Sequence, residues 1–293
     1  MSLHHKIIAY SNPLIQIIRI IGLKIGVISP NQLRVLIFHD IPPEQEDAFK
    51  KQLVWLKKHW SIISPEKFEK FISGNEPIIG ANLLISFDDG LISNRIVAEK
   101  ILNPMGIKAI FFVVSDFVDL EDNCYARQFI ADHIDPDIAV EDVPDNWANM
   151  HWSDLQFLLD KGHTIGAHTR KHTRLSNCHS DEELYDELIV SAECIKKNLG
   201  VDVKHFAFTF GDIDSFSEKA LSVARNEYQY IYSGIRGDNA QSLSPLSICR
   251  DSAATQLENY EYTLFDNNLL AAFLNGAADF KYKKSRKLLD SWI

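Results

Sequence analysis

Two adjacent carboxylates, Asp88 and Asp89, come directly after an apolar run in this chain of 293 residues. The segment reads NLLISFDDG from Asn82 to Gly90, and its apolar residues predict a buried strand that ends at the acids. Like charges this close repel each other, so either water at the strand end or a bound cation must stabilise them. The sequence alone leaves both explanations open.

Two imidazoles follow another apolar run. His168 and His172 stand four residues apart in the segment GAHTRKHTRLS, which begins at Gly166. Two histidines at this spacing can reach one metal ion, and solvated loop histidines are an equal alternative. If the acids and the imidazoles meet, one carboxylate and two imidazoles make three metal ligands, and the other carboxylate is free to accept a proton.

The remaining sequence predicts the elements that would bring these groups together. Short apolar runs alternate with amphipathic stretches, which predicts a mainly parallel sheet covered by helices, with its chemistry at the carboxyl ends of the strands. Residues 116–150 are polar and are predicted to form an excursion from this sheet, not a second domain. The predicted strands are 33–39, 83–87, 108–114, 163–168, 203–210, 228–234 and 245–250. The predicted helices are 48–60, 93–102, one that Ser153 caps and that runs to Lys161, one that a capping box at Ser180 opens and that runs to Leu199, and 217–226.

Several segments, in this order, resemble the polysaccharide deacetylases, the NodB-homology group of carbohydrate esterases. SFDDG and HTRKH resemble the first two signature motifs of that family, and FAFTFGD is similar to the Phe-Ala-Tyr-Pro-Phe-Gly variant of the third. LRVLIFHDI and GHTIGAHTRKHTRLS extend the likeness over about residues 33–250. The resemblance implies an α/β fold, a distorted (β/α) barrel of about seven parallel strands.

The resemblance also implies a chemistry, the metal-dependent hydrolysis of an acetyl group, N-acetyl in the first place, on a carbohydrate. Carried over residue by residue, Asp89, His168 and His172 are the metal ligands and Asp88 is the general base. The metal would be one divalent transition ion, Zn²⁺ in the first place, with Co²⁺, Ni²⁺, Fe²⁺ or Mn²⁺ as alternatives. The implied substrate is an acetylated saccharide, either a polysaccharide or a lipid-linked or nucleotide-linked sugar.

Other site residues follow from the resemblance less directly. The backbone N–H groups around Phe208, Thr209, Phe210 and Gly211 are expected to stabilise the oxyanion. No histidine occurs after His205, where many members have a late one, so His39 is the predicted proton donor and Arg250 the predicted partner of Asp88. The chain departs from the family pattern at two more positions, Thr209 in place of proline and Thr164 in place of glutamate.

The net charge and the cysteine content of the chain bear on its binding partners and on its cellular compartment. The formal net charge of −10 is spread along the chain, which argues against a nucleic-acid or anionic-membrane surface. The four cysteines stand alone and are typical of a reducing compartment. Two further functions stay open: hydrolysis of a C–N amide on a small non-sugar molecule, and carbohydrate binding without catalysis.

The amino-terminal segment is apolar but interrupted by polar residues. We predict an amphipathic helix over Leu14–Leu23 that packs on the protein, within a segment 1–30 that precedes a single catalytic domain 31–293. Peripheral membrane contact through residues 6–28 is the alternative. The expected location is cytoplasmic, with or without association with a membrane.

Overall fold

Parallel strands build the centre of the molecule. The computed structural model describes residues 3–252 and 266–293. Its sheet runs in the order β7-β6-β5-β4-β3-β1-β8, and β2 pairs with β3 beside this path. The seven strands of the path curl into a distorted (β/α) barrel, which confirms the predicted fold class. The strands are β1 (Gln32–Phe38), β2 (Ser61–Ile62), β3 (Ala81–Phe87), β4 (Ala109–Val113), β5 (Thr164–Ala167), β6 (His205–Ala207), β7 (Tyr230–Tyr232) and β8 (Asp251–Ser252).

Helices cover the outside of the barrel. Three of them continue into π-helical turns, at Ala98–Leu102, Ile130–Ile134 and Asp186–Val190. The α-helices are α1 (Leu3–Lys24), α2 (Glu46–His59), α3 (Pro65–Ile72), α4 (Ile92–Val97), α5 (Asn123–Phe129), α6 (Trp152–Asp160), α7 (Asp181–Tyr185), α8 (Ser191–Leu199), α9 (Glu218–Glu227), α10 (Asn267–Leu274) and α11 (Lys283–Asp290).

The strands are apolar on both faces because both faces are buried. Alternate residues of β3 and β4, such as Leu84 and Phe112, fill the inside of the barrel together with Phe68 of α3. The residues between them, such as Phe87 and Phe111, pack outward against the helices. The rings of Phe87 and Phe111 are stacked with centroids 5.0 Å apart, directly below the carboxyl end of the sheet.

The last strand differs from its prediction. Residues 245–250 do not form a strand: Ile248 makes a single bridge to Tyr232 of β7, and only Asp251 and Ser252 pair with β1. This segment thereby links the two edges of the curled sheet. A buried ion pair, Arg34 Nη1 to Asp251 Oδ2 at 3.3 Å, holds the same junction. The prediction was wrong here because Ile248 of this run pairs with β7, whereas the residues directly after the run pair with β1.

The ends of other helices and strands are set by capping hydrogen bonds and by backbone angles. The helix predicted to start at Ser153 has His151 as its cap residue, whose N–H donates to Asp154 Oδ2 at 2.9 Å, so the Ser153 cap is wrong. The Ser180 capping box is confirmed, because Glu183 N–H donates to Ser180 Oγ at 3.1 Å, and the helical run ends at Gly200 with φ of 69°. The strand predicted over 203–210 is only β6, because Phe210 has a φ of 61° and turns the chain out of the sheet.

The amino-terminal helix α1 is longer than predicted. It packs on α10, with Ala9 against Leu269 and Phe273, so the predicted packing on the protein is present on one side. Most of its large apolar side chains nevertheless face outward. None of the helices in residues 3–252 and 266–293 is long and apolar enough to cross a membrane. The division into segments 1–30 and 31–293 stays a prediction.

Candidate metal centre

The two aspartates lie at the carboxyl end of β3. Asp88 continues the pairing with β1, its N–H donating to Phe38 O at 3.0 Å, and it shares the inward-facing side of the strand with Leu84 and Ser86. Asp89 then adopts a left-handed conformation with φ of 74°, followed by Gly90 with φ of 92°. A non-glycine residue in this region stores local strain, which proteins concentrate at functional sites.

The two histidines come from the end of β5 and the loop after it. His168 N–H donates to Val113 O at 2.9 Å, which extends the pairing of β5 with β4 by one residue. The loop then turns through Thr169 and His172, which have φ values of 60° and 61°. These turns bring the second imidazole back over the first, and their ring centroids are 5.2 Å apart.

Asp89, His168 and His172 meet at one point. Asp89 Oδ1 lies 3.6 Å from His168 Nε2 and 3.5 Å from His172 Nε2, and the three candidate ligand atoms all lie within 4.8 Å of one another. Two atoms each about 2.1 Å from one ion at a tetrahedral angle lie about 3.4 Å apart. The spacing of the three atoms therefore fits a tetrahedral metal site with a position open to solvent or substrate.

Both imidazoles carry their proton on the nitrogen that faces away from this point. His168 Nδ1–H donates to Ala207 O at 2.8 Å, and His172 Nδ1–H donates to His133 O at 2.9 Å. Burial lowers the pKa of each histidine to about 4, so both rings are neutral near pH 7. Each ring therefore presents an Nε2 lone pair to Asp89, the arrangement that metal-binding histidines use.

The second carboxylate, Asp88, is held as an anion. Arg250 Nη1 donates to Asp88 Oδ1 at 2.7 Å, while Arg250 Nε donates to Ser233 O at 2.9 Å. Burial alone would raise the pKa of Asp88, but Arg250 and the neighbouring histidines hold it below its usual value. Arg250 is only 1% exposed, so it is not a solvated surface arginine. The pairing of Arg250 with Asp88, predicted from the resemblance, is present in the structure.

The two aspartates have opposite pKa shifts. Burial raises the pKa of Asp89, and the largest influence that lowers it comes from His39. His39 follows β1 directly and is exposed to solvent, whereas the four central side chains are at most 6% exposed. His39 therefore lies at the mouth of the site, in contact with solvent.

The loop after β6 borders the site on another side. Phe208 N–H donates to Tyr232 O and Gly211 N–H donates to Thr209 O, so two of the four predicted oxyanion donors already have acceptors. Thr209 and Phe210 supply the other two backbone N–H groups of this loop. The Phe210 ring is 41% exposed and its centroid lies 4.8 Å from that of His172, beside the opening.

Two residues that support the site were not predicted. Glu187 accepts hydrogen bonds from the loop that carries the two histidines, and His133 supplies a carbonyl to His172. The signal for Glu187 was visible: an acid on the side of a helix that otherwise carries Leu184, Leu188 and Ile195. A backbone carbonyl such as that of His133 leaves no signal in a sequence.

Known structures share this fold. The chain is similar to IcaB from Ammonifex degensii, with 17% identity over 84% of this chain and 97% of that one and a TM-score of 0.64. It is also similar to the Streptococcus pyogenes deacetylase PplD in complex with acetate, with 21% identity over 84% and 99% and a TM-score of 0.61. The deacetylase domain of BpsB from Bordetella bronchiseptica matches at 18% identity over 76% and 96%, with a TM-score of 0.60.

Sequence comparison gives the family. No curated protein matches the chain significantly. The family model described as polysaccharide deacetylase matches residues 75–231, which is more than half of the chain and contains both aspartates, both histidines and the loop after β6. The chain belongs to the polysaccharide deacetylase family.

Proposed function

We propose that this protein is a metal-dependent hydrolase that removes an acetyl group, in the first place an N-acetyl group, from a carbohydrate. The observation that carries the proposal is the convergence of Asp89, His168 and His172 beside a carboxylate that Arg250 keeps ionised. Family membership supports the reaction class. The similar fold of a deacetylase that was solved with acetate supports acetate as the product to test first.

The donor set supports a transition metal. One carboxylate oxygen and two neutral imidazole nitrogens suit Zn²⁺, and Co²⁺, Ni²⁺, Fe²⁺ and Mn²⁺ accept the same ligand types. A bound metal of this kind would supply Lewis acidity toward the acetyl carbonyl and toward water. Asp89, His168 and His172 would hold it, since their three ligand atoms face one another at the spacing described above.

Asp88 is the proposed general base. Its Oδ1 is engaged by Arg250, while Oδ2 lies on the side of His168, 3.9 Å from Nε2, and faces the candidate metal position. The lowered pKa keeps the carboxylate ionised near pH 7 and ready to take a proton from the attacking water. Arg250 contributes by fixing the orientation of this carboxylate, because it is itself anchored to Ser233 O.

His39 is the proposed proton donor to the departing amine. It stands at the mouth of the site, close enough to influence the pKa of both aspartates. An exposed imidazole can be reprotonated from solvent after each turnover. The backbone N–H groups of Thr209 and Phe210 are the proposed stabilisers of the oxyanion, since the other two N–H groups of that loop have acceptors.

The substrate class is proposed as an acetylated saccharide. Phe210, exposed beside His172, offers an aromatic surface at the opening on which a sugar ring can pack. Whether the sugar is part of a polysaccharide or is linked to a lipid or a nucleotide stays a prediction, as does the cytoplasmic location. A panel of acetylated mono- and oligosaccharides, scored by release of acetate, tests this part directly.

Two substitutions test the assignment of roles. His168→Ala is expected to lose the metal, measured as bound zinc per chain after purification without chelator, because it removes one of three ligands. Asp88→Asn is expected to keep the metal and to lower kcat about 10²- to 10⁴-fold, because it removes the base without removing a ligand. His59→Ala, an exposed histidine on α2, is the control and should change neither value.

The same measurements separate the rival functions. A protein that carries no transition metal and releases no acetate with added zinc or cobalt would be a carbohydrate-binding protein of this fold. A metal-loaded protein that cleaves only small non-sugar amides would retain the chemistry but contradict the substrate class. Near-normal turnover by Asp88→Asn would contradict the assignment of Asp88 as the general base and would leave the metal ligands and the substrate class untouched.

A further inference from the structure

The outward side of α1 carries a continuous apolar stripe. Large apolar side chains that are more than half exposed recur every three or four residues along α1 and into the turn after it, so they share one side of the helix: Tyr10, Leu14, Ile17, Ile18, Ile21 and Ile25. Ile7 and Ile20 border this side and are more than half exposed as well. The other side of the helix is the one that packs on α10, through Ala9 and through a hydrogen bond from Asn12 Nδ2 to Asn268 Oδ1 at 3.4 Å. Single exposed apolar residues are common on proteins, but a contiguous stripe marks an interaction surface.

Helices α1 and α11 carry exposed basic residues although the whole chain is acidic. The first 30 residues contain no Asp or Glu, and Lys24 is exposed at the end of the helix. Helix α11 adds Lys283, Lys284 and Lys287, which are exposed and form no ion pair with any residue in the described ranges. The rest of the molecule therefore carries more negative charge than the net −10 of the whole chain.

The stripe and the lysines lie at the same end of the barrel. Arg19 of α1 donates to Gln32 Oε1 at 2.5 Å, and Gln32 Nε2 donates to Leu274 O at 3.3 Å at the end of α10. Arg286 of α11 donates to Asp238 O, and the side chain of Asp238 accepts from Leu33 N–H. All of these contacts surround the first residues of β1, the opposite end of the strand from the candidate metal centre.

We propose that this end of the molecule, formed by α1 and α11, binds the surface of an anionic lipid bilayer. An isoleucine-rich stripe can enter the boundary between headgroups and acyl chains while the flanking lysines meet anionic headgroups. The helix lies on the bilayer and does not cross it. The acidic remainder of the protein is repelled by the same surface, which points the candidate metal centre away from the lipid.

A second copy of the chain fits this surface less well. A two-fold contact through α1 would bring the exposed Lys24 of both copies to the same interface, and like charges oppose such a contact. An anionic bilayer offers charge that is complementary to Lys24 and to the lysines of α11. The proposal does not depend on the enzymatic activity proposed above, and its test uses no activity measurement.

The test is co-sedimentation of the full chain with vesicles. Two compositions are used: pure phosphatidylcholine, and phosphatidylcholine in which about a quarter of the lipid is phosphatidylglycerol. We expect binding to the second, much weaker binding to the first, and a loss of binding as salt rises. Equal binding to both compositions would overturn the electrostatic part of the proposal.

Two pairs of matched variants assign the binding to the surface. Ile17→Gln with Ile21→Gln is expected to weaken vesicle affinity about tenfold or more. Its control, Val54→Gln with Tyr125→Gln, changes two exposed apolar residues elsewhere and should bind as the parent protein does. All four positions are on the surface, and circular dichroism checks that each variant is folded.

Charge variants test whether the lysines of α11 contribute to vesicle binding. Replacing Lys283, Lys284 and Lys287 by Glu is expected to abolish vesicle binding at low salt. The matched control makes the same change at three exposed lysines of α2, and it should retain most of the vesicle binding: Lys50, Lys51 and Lys58. Vesicle binding that survives both the apolar and the charge variants would overturn the proposal. So would a stable dimer that Ile17→Gln with Ile21→Gln converts to monomer, in a protein that does not bind vesicles.

Discussion

Asp88 and Asp89 are neighbours in sequence but lie in different electrostatic surroundings. Asp88 faces Arg250 and has a lowered pKa, whereas Asp89 faces two neutral imidazoles and has a raised pKa because it is buried. The left-handed backbone at Asp89 contributes to this division, since it ends the extended conformation of the chain between the two carboxylates. The adjacent acids thereby acquire the two different roles that we propose for them.

The pH dependence of the proposed reaction tests the role of Arg250. Burial raises the pKa of Asp88 and Arg250 is the largest influence that lowers it, so Arg250→Gln leaves burial less opposed and the pKa rises. The base works only when ionised, so activity is present above this pKa and lost below it. The acidic limb of the profile of kcat/KM against pH is therefore expected to move to higher pH.

A merely structural role for Arg250 would give a different result. Loss of activity at every pH with an unmoved acidic limb would mean that the arginine supports the fold and does not tune Asp88. Arg250→Lys retains the positive charge and should restore part of the shift, although it loses the bond to Ser233 O. Arg225→Gln on the exposed side of α9 is the matched control and should keep the parent profile.

The four central side chains of the site could be predicted because polar pairs of these types are unusual directly after apolar strands. An Asp-Asp pair and a His-x-x-x-His pair that each follow an apolar strand indicate a common rim, and the structure brings all four together. The division of roles between Asp88 and Asp89 depends on a φ of 74°, which side-chain type does not encode. Family resemblance supplied that assignment.

At the scale of the elements, the run of helix from Asp181 to Leu199 positions the loop between the two histidines. Glu187 is 5% exposed; its Oε2 accepts from the N–H groups of Arg170 and Lys171 at 3.1 and 3.0 Å, and its Oε1 accepts from Thr173 Oγ1 at 2.8 Å. It lies in the π-helical turn Asp186–Val190, a local widening that often occurs at functional sites.

Removing this support should weaken metal binding without removing a ligand. Glu187→Ala leaves three donors of the loop without their acceptor, so His172 loses its fixed orientation, and zinc affinity is expected to fall about 10- to 100-fold. Competition with a chromophoric chelator measures this value. Glu193→Ala, an exposed acid on the same helical run, is the control. Unchanged zinc affinity in folded Glu187→Ala would mean that the loop holds its shape without Glu187.

The elements themselves were predicted with uneven success, for a physical reason. Long periodic segments such as Ser180–Leu199 carry both a capping box and a glycine at the end, and the structure agrees. The strands predicted over short apolar runs near the site were less accurate, because residues of these runs leave the sheet and form loops that are still buried. The run 203–210 pairs over three residues only, and 245–250 contributes one bridge to β7.

For the whole molecule, burial of histidines makes stability depend on pH. Four histidines of the described residues are at most 6% exposed and have a lowered pKa: His163, His168, His172 and His205. The unfolded chain binds protons at these positions at a higher pH than the folded protein does. The metal-free protein is therefore expected to lose stability as the pH falls below the ordinary histidine pKa.

His163 isolates this effect because it lies outside the candidate metal centre. Its Nδ1 accepts from Ala109 N–H at 3.1 Å and its Nε2 lies 3.2 Å from Asn103 Oδ1, so only the neutral ring satisfies both neighbours. Burial, with a smaller effect of Lys108, lowers its pKa to about 4 from the ordinary histidine value of 6.5. The contribution to stability is fully present above pH 6.5 and lost as the pH falls toward 4.

Urea unfolding at pH 7 and at pH 5 measures this contribution. His163 alone is expected to lower the free energy of unfolding by about 2 kcal/mol between these two values. His163→Gln can accept from Ala109 and donate to Asn103 without titrating, so its stability should fall less between pH 7 and pH 5 than that of the parent protein. His59→Gln on the exposed end of α2 should follow the parent. An equal fall in His163→Gln and the parent would mean that this histidine accepts a proton in the folded protein without penalty, against the geometry around it.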